Sequence, residues 1–239
     1  MGERAAGARP WHRRAWGSWP AALTWGLATL VLSLAMGRVF PQELASPPAQ
    51  WALASPVLAF EFATEPSHLV AIFGTVADPL SSARVAAMDA GNRLDYLFML
   101  FYGSLILAFF GAGGATTGDR RWWLAGWLGP LAAASDAVEN ALLLSITADM
   151  SDPSGELALL PVFVWTKFGL LALSSGLAGW LFIRMRAWPL ALLCLPGAVL
   201  IVPAILARWT YGELLVPGTA LTWLVMLLWA GWRTARKTA

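Results

Sequence analysis

The chain has 239 residues, of which 58% are hydrophobic and only 13% charged, with a formal charge of +2 and a mean hydropathy of +0.62. That balance excludes an ordinary soluble domain and makes residues 1–239 one membrane-embedded unit. The basic residues flank apolar runs instead of gathering on one exposed face, which excludes a nucleic-acid-binding surface.

Residues 1–18 form a polar lead-in carrying Arg4, Arg9, His12, Arg13 and Arg14. The apolar run over 19–39 is too long for the core of a signal peptide, and no small-x-small cleavage pattern follows at once, so it reads as a retained first span. Ala6 stands where a myristoylation signal needs Ser or Thr. Arg13-Arg14 reads as a topology determinant.

Residues 40–93 are the one long connection. Trp51, Leu53, Leu58, Phe60, Phe62, Leu69, Ile72 and Phe73 make them too apolar for a disordered linker, and Pro47, Pro48, Pro56, Pro66 and Pro79 divide them into short pieces. Ser67 is placed to N-cap a helix through Gly74. A second helix from about Ser81 should run on into the next span. Short amphipathic helices, resting on the membrane or covering the bundle, are expected here. His68 reads as an exposed histidine.

Further spans follow at 94–113, 122–148, 159–183, 188–207 and 214–232, each near the twenty apolar residues that a bilayer requires. Pro196 and Pro203 should kink or break the fifth span, with two half-helices as one outcome. The fold class is therefore all-α: a polytopic protein of six transmembrane helices, with a short-helical extracytoplasmic cap over residues 40–93 and a cytoplasmic tail over 233–239.

Charge sets the orientation. Arg4, Arg9, Arg13, Arg14, Arg120, Arg121, Arg184, Arg186, Arg233, Arg236 and Lys237 fall on one side, against Arg38, Arg84, Arg93 and Arg208 on the other. The second side also holds Glu43, Glu61, Glu65, Asp78, Asp89, Asp149, Asp152, Glu156 and Glu213. This places both termini in the cytoplasm. The Ala-, Arg-, Gly- and Trp-rich composition points to a GC-rich bacterial genome and hence to a cell inner membrane.

Within the third span, Asp136, Glu139 and Asn140 stand at i, i+3 and i+4 and share one helical face. Charged groups deep in lipid cost about 2.5–3.5 kcal/mol each on insertion scales, so these must face protein or water. Glu139 lies ten residues before Asp149, and Lys167 eight residues after Leu159, in the next helix. At about 1.5 Å per residue both sit at nearly the same depth below the outer surface. An ion pair between Lys167 and Glu139 or Asp136 is therefore expected. The second span adds Asn92, Asp95, Met99 and Tyr102 on one face, with Arg93 and Tyr96 beside it. The cytoplasmic half holds few polar groups apart from Ser174 and Ser175.

Two carboxylates against one lysine require a proton, water or a cationic group to restore balance. Asp136, Glu139 and Lys167 are accordingly the candidate catalytic or charge-bearing residues, with Asn140, Asp95, Tyr102, Asn92 and Tyr96 as candidate ligand contacts. The bland alternative is that the same network only ties helices together. Tyr96 and Tyr102 fit packing roles as well, Asp95 fits first-turn stabilisation of a helix, and Trp165 fits an interfacial anchor. Cys194 is the single cysteine and sits in an apolar run, which excludes a disulfide within the chain and thiolate clusters. No HExxH, GxSxG or Walker sequence occurs, and no metal site or cofactor is expected. A retinal-type lysine would belong to the last of seven spans and is rejected.

The apolar loop, Arg93-Leu-Asp95-Tyr-Leu-Phe98 and Asp136-x-x-Glu139-Asn140 together resemble a group of small bacterial multi-pass proteins with no established activity. The likeness covers about residues 57–174 and implies a fold but no mechanism. The leading expectation is binding or conversion of a small amphiphile or membrane lipid in a polar pocket open to the extracytoplasmic side. A proton-coupled transporter and a structural or assembly subunit are the alternatives, and oligomerisation stays open.

Overall fold

The structure, a computed structural model, describes residues 16–236. The expectations that rest on Arg4, Ala6, Arg9, His12, Arg13, Arg14 and Lys237 lie outside the described residues.

Helix α1, Trp19–Met36, opens on Ser18, whose hydroxyl accepts from the Ala21 N–H at 3.3 Å. Two short helices follow, α2 over Pro56–Glu61 and α3 over Pro66–Phe73. Proline stands at the start of each, where its missing N–H costs nothing. The N-cap of α3 is Glu65, not Ser67, because the residue before a proline is driven to extended backbone, here φ −150° and ψ 154°. The helix ends at Phe73, one residue early, since Gly74 adopts φ +91°.

Helix α4, Ser81–Thr117, is continuous over 37 residues, as the merging of loop helix and second span requires. The third apolar run divides into α5, Trp122–Gly126, and α6, Leu128–Ala148. The break has a physical cause in Pro130, which cannot donate to the Gly126 carbonyl. Helix α7, Ser154–Arg184, carries Pro161 without breaking. Residues 188–206 form three short pieces: α8, Trp188–Leu193, α9, Leu195–Val199, and α10, Ile201–Leu206. Pro196 and Pro203 remove the donors that would have joined them. A one-turn helix α11, Arg208–Tyr211, and a tight turn lead into α12, Leu215–Ala235.

All described regular structure is helical, and five stretches are long and apolar enough to cross a membrane: Trp19–Met36, Ser81–Thr117, Trp122–Ala148, Ser154–Arg184 and Arg208–Ala235. The α8–α10 segment is not one of them. It packs against α7 and α12: Gly179 lies against Ala191 and Cys194, Gly176 against Ala198, and Gly218 against Pro196 and Leu200. Small residues let it lie close to both helices. The outside of the bundle exposes Val31 (68%), Leu124 (73%) and Leu206 (81%), a surface suited to acyl chains and hostile to water.

Helices α6 and α7 form an antiparallel pair, α4 packs between α1 and α6, and α12 closes on α1. The α4–α6 approach is tight enough that a methyl group on Gly129 would meet the Gly103 carbonyl oxygen at 2.6 Å. At one end of the bundle Trp19 donates to Thr116 at 3.1 Å and Arg233 lies over the Trp19 ring. Residues 37–80 cover the other end. Their Leu58, Phe60, Phe62, Leu69, Ile72 and Phe73 are buried against Leu143, Leu160, Val164 and Leu215 of the bundle. The segment is thus held on the helices through these apolar side chains. It ends in a clamp: Arg84 donates to Asp78 at 2.6 Å and to the Phe73 carbonyl at 3.1 Å.

Candidate functional site

The polar residues meet beneath this cover. Lys167 of α7 donates to Glu139 Oε1 of α6 at 2.7 Å. Its Nζ also stands 3.2 Å from Asp136 Oδ1 and 3.2 Å from Glu61 Oε2. The i, i+3 spacing on α6 turns both of its acids toward α7, and the antiparallel pairing brings Lys167 to their level. All four side chains are buried, Glu139 with no exposed surface at all. The Lys167 ammonium also lies 4.8 Å from the centre of the Phe168 ring.

From α4, Tyr102 donates to Asp136 Oδ2 at 2.9 Å. Asn140 donates to the Asn92 carbonyl at 3.0 Å and to Asp95 Oδ2 at 2.9 Å. The residues read from the sequence thus converge, with one exception. Tyr96 is 39% exposed, points away from the cluster and donates to the Ala137 carbonyl at 3.3 Å. It belongs to the outer surface of the α4–α6 pair, because position 96 lies about 100° round the helix from Asp95.

Glu61 is the member that sequence reasoning did not single out. It was counted only among the acids of the second side. A signal existed: it is the one charged residue in Val57-Leu-Ala-Phe-Glu61-Phe-Ala63, an apolar window where an unpaired carboxylate would be costly. Glu61 at the end of α2 dips from the cover into the bundle and supplies the third carboxylate.

These groups line a cavity of about 300 Å³. Glu61, Asn92, Asp95, Tyr102, Asp136, Asn140 and Lys167 form its polar end. Phe98, Phe168, Leu171 and Trp223 form an apolar wall, with Trp223 stacked on Tyr102 at 5.1 Å. Its rim includes Ser33 of α1, Gly37 just after it, and Val216 and Ala220 of α12, all exposed on the side of the bundle. Toward the opposite end the interior is filled by Ile106, Phe109, Phe110, Phe182, Met226 and Ala230, each without exposed surface. Ser174 and Ser175 in that half return their hydroxyls to the Leu171 carbonyl.

The cover is fastened above the cavity. Glu213 accepts from the backbone N–H groups of Ala54 at 3.2 Å and Ser55 at 3.3 Å. Trp51 stacks on Trp209 at 3.9 Å, and Arg208 donates to Thr64 at 3.0 Å. His68, expected to be exposed, instead packs edge-on against the Trp51–Trp209 stack, its side chain only 12% exposed. Trp209 lies far along the chain, so local sequence gave no sign of this. His68 Nδ1 accepts from the Thr64 N–H at 3.1 Å while Nε2 faces Glu65 at 3.0 Å. Trp165 stacks on Phe62 of the cover at 5.4 Å, a packing role where an interfacial anchor was expected.

No known protein family, curated protein or solved structure matches this chain. The reading of the site rests on its own chemistry. An ammonium held among three carboxylates is a fixed counter-charge and not a free nucleophile. The acids exceed the base, which suits protons or a cation. Among the described residues no His, Cys, Asp or Glu group is arranged to hold a metal ion.

Two outcomes follow. Lys167→Met leaves three buried carboxylates without their cation and should cost about 3–5 kcal/mol, read from thermal unfolding in detergent. Adding Glu139→Leu should restore part of that loss; an undiminished loss in the double variant would show that the two groups are not coupled. Burial, opposed by Glu65 and reinforced by Arg208, holds His68 below the usual histidine value of 6.5. The folded state therefore favours the neutral ring, so its contribution is present above pH 6.5 and is lost as pH falls toward the lowered value. Hydrogen-exchange protection factors over 60–74, corrected for the intrinsic pH dependence of exchange, should fall through that window, and His68→Gln should flatten the dependence.

Proposed function

We propose that this protein binds a small amphiphile, with its polar end on the acid–lysine cluster and its apolar part directed sideways toward the bilayer. The observation that carries this reading is the cavity itself: carboxylates at one end, aromatic and aliphatic walls, and a rim on the flank of the bundle between α1 and α12. A ligand pocket of a few hundred Å³ with a small set of convergent polar groups is the usual form of a small-molecule site.

The same reading sets the protein in a bacterial inner membrane, crossing it six times, with residues 188–206 as an interrupted sixth crossing. Residues 40–93 then form an extracytoplasmic cap. Support comes from the contacts of Arg233 with Trp19 at one end and of Trp209 with Trp51 at the other, which favour a crossing by the segment between Arg184 and Arg208. Arg120, Arg121, Arg184, Arg186, Arg233 and Arg236 fall at the end assigned to the cytoplasm.

A proton-coupled carrier is the second reading, favoured by the interrupted segment, a feature that transporter sites often use. The fully buried apolar filling from Ile106 to Ala230 stands against it, since it leaves the polar chamber accessible from one half only.

Dodecyl photoprobes bearing ammonium, hydroxyl or carboxylate heads test the reading. At least one should crosslink to Phe98, Trp223 or residues 216–220, and Ala220→Phe should reduce that labelling severalfold. Labelling confined to the outer belt around Val31 and Leu228, with all three heads, would overturn it. A proton flux in proteoliposomes that is abolished by Asp136→Asn would favour the carrier.

A further inference from the structure

We propose that the head group taken by this chamber is a primary ammonium with an oxygen acceptor close by, as in an amino alcohol or an ethanolamine ester. The inference rests on the amphiphile reading above and adds the chemistry of the polar end.

Charge is the first argument. Glu61, Asp95 and Asp136 line the cavity and Glu139 stands directly behind them, while Lys167 is the one basic side chain in the lining. A second positive group is what such a pocket attracts, whereas with an anionic or neutral head the acid excess has to be balanced by protons on the carboxyls themselves.

Unmet hydrogen bonds are the second argument and are independent of net charge. Glu61 Oε2 and Asp136 Oδ1 are buried acceptors that share the Lys167 ammonium, 3.2 Å from each, whose shortest hydrogen bond goes to Glu139 at 2.7 Å, so neither has a donor to itself. Both residues are more than nine-tenths buried and both line the cavity. They call for N–H donors, which a primary ammonium has and a quaternary one lacks. Asn92 presents the converse: its carboxamide is 1% exposed, lines the cavity, and its Nδ2 has no acceptor. An oxygen near the ligand nitrogen fills that role. One head group carrying both functions satisfies three buried atoms together, and such atoms are otherwise costly to leave unpaired.

Shape agrees with the chemistry. Phe98, Tyr102 and Trp223 form an aromatic cluster in the lining beside the acids, surroundings that suit a cation. The exposed rim residues Ser33 of α1 and Gly37 just after it, with Val216 and Ala220 of α12, leave a side passage for an alkyl chain.

Purified full-length protein in detergent is titrated with 2-aminododecan-1-ol, dodecylamine, dodecyltrimethylammonium, dodecanol and dodecanoate, with thermal stabilisation as the readout. The amino alcohol should bind tightest and saturably, and the quaternary amine, the alcohol and the carboxylate at least tenfold more weakly. Glu61→Gln should weaken the two primary amines about tenfold and leave dodecanol unchanged, while Asn92→Leu should erase the advantage of the amino alcohol over dodecylamine. Should Glu61→Gln fail to fold, Ala220→Phe, which narrows the passage without touching the acids, should weaken every probe that binds the chamber. Equal affinity for amine, alcohol and carboxylate would overturn the ammonium assignment and leave the amphiphile reading standing. Absence of saturable stabilisation by all five would remove both. Nanodiscs of phosphatidylcholine with and without phosphatidylethanolamine separate the sources: displacement of the amino alcohol by the ethanolamine lipid assigns a membrane lipid, and undiminished binding assigns a free single-chain amphiphile.

Discussion

The ammonium of Lys167 is the point on which this arrangement depends. It joins α7 to α6 through Glu139 and Asp136, and joins both to the cover through Glu61. A charge at such depth persists only when it is paired and hydrogen-bonded. Here one cation is shared by three acids, so the network holds the helices at a common level while keeping a surplus of acceptors. The chamber exists because those surplus groups cannot pack against hydrocarbon. Tyr102 and Asn140 meet part of the surplus, fixing Asp136 and Asp95 in place from α4 and α6.

Two apolar cores divide the rest of the work. One, rich in Phe109, Phe110, Phe182 and Met226, fills the end of the bundle where most of the arginines lie. The other, built from Phe60, Phe62, Phe73, Leu143, Leu160 and Phe168, binds the cover to the helices. The polar chamber lies where these cores part. Its position follows from packing as much as from charge, since the cover's aromatic residues occupy the space directly above it and leave the flank between α1 and α12 as the thin wall.

Much of this was legible in the sequence. The apolar runs gave the helices because hydrophobic length is nearly sufficient to specify a spanning element. The convergence of Asp136, Glu139 and Lys167 was readable because an antiparallel pair with a short loop fixes relative depth by counting residues from that loop. Glu61 was not readable in this way. It reaches the site through tertiary packing of a proline-bounded segment whose register against the bundle no periodicity encodes. The same holds for His68, half-buried against a tryptophan some 140 positions away in sequence. Tyr96 failed in the opposite sense: adjacency to Asp95 along the chain suggested a shared role, whereas one helical step is enough to turn a side chain out of a pocket. The break at Trp127 and the pieces between Trp188 and Leu206 came from proline, as the chemistry of a missing donor requires.

The fastening of the cover carries a consequence for exchange. Glu213 and the Trp51–Trp209 stack pin its early part, and the Arg84–Asp78 clamp pins its exit, so the lid has no free edge to lift. On the proposed reading, an amphiphile bound in the chamber would arrive laterally, from within the leaflet. Its loading would be governed by two-dimensional diffusion and by the mole fraction of ligand among neighbouring lipids, and bulk aqueous concentration would enter only through partitioning.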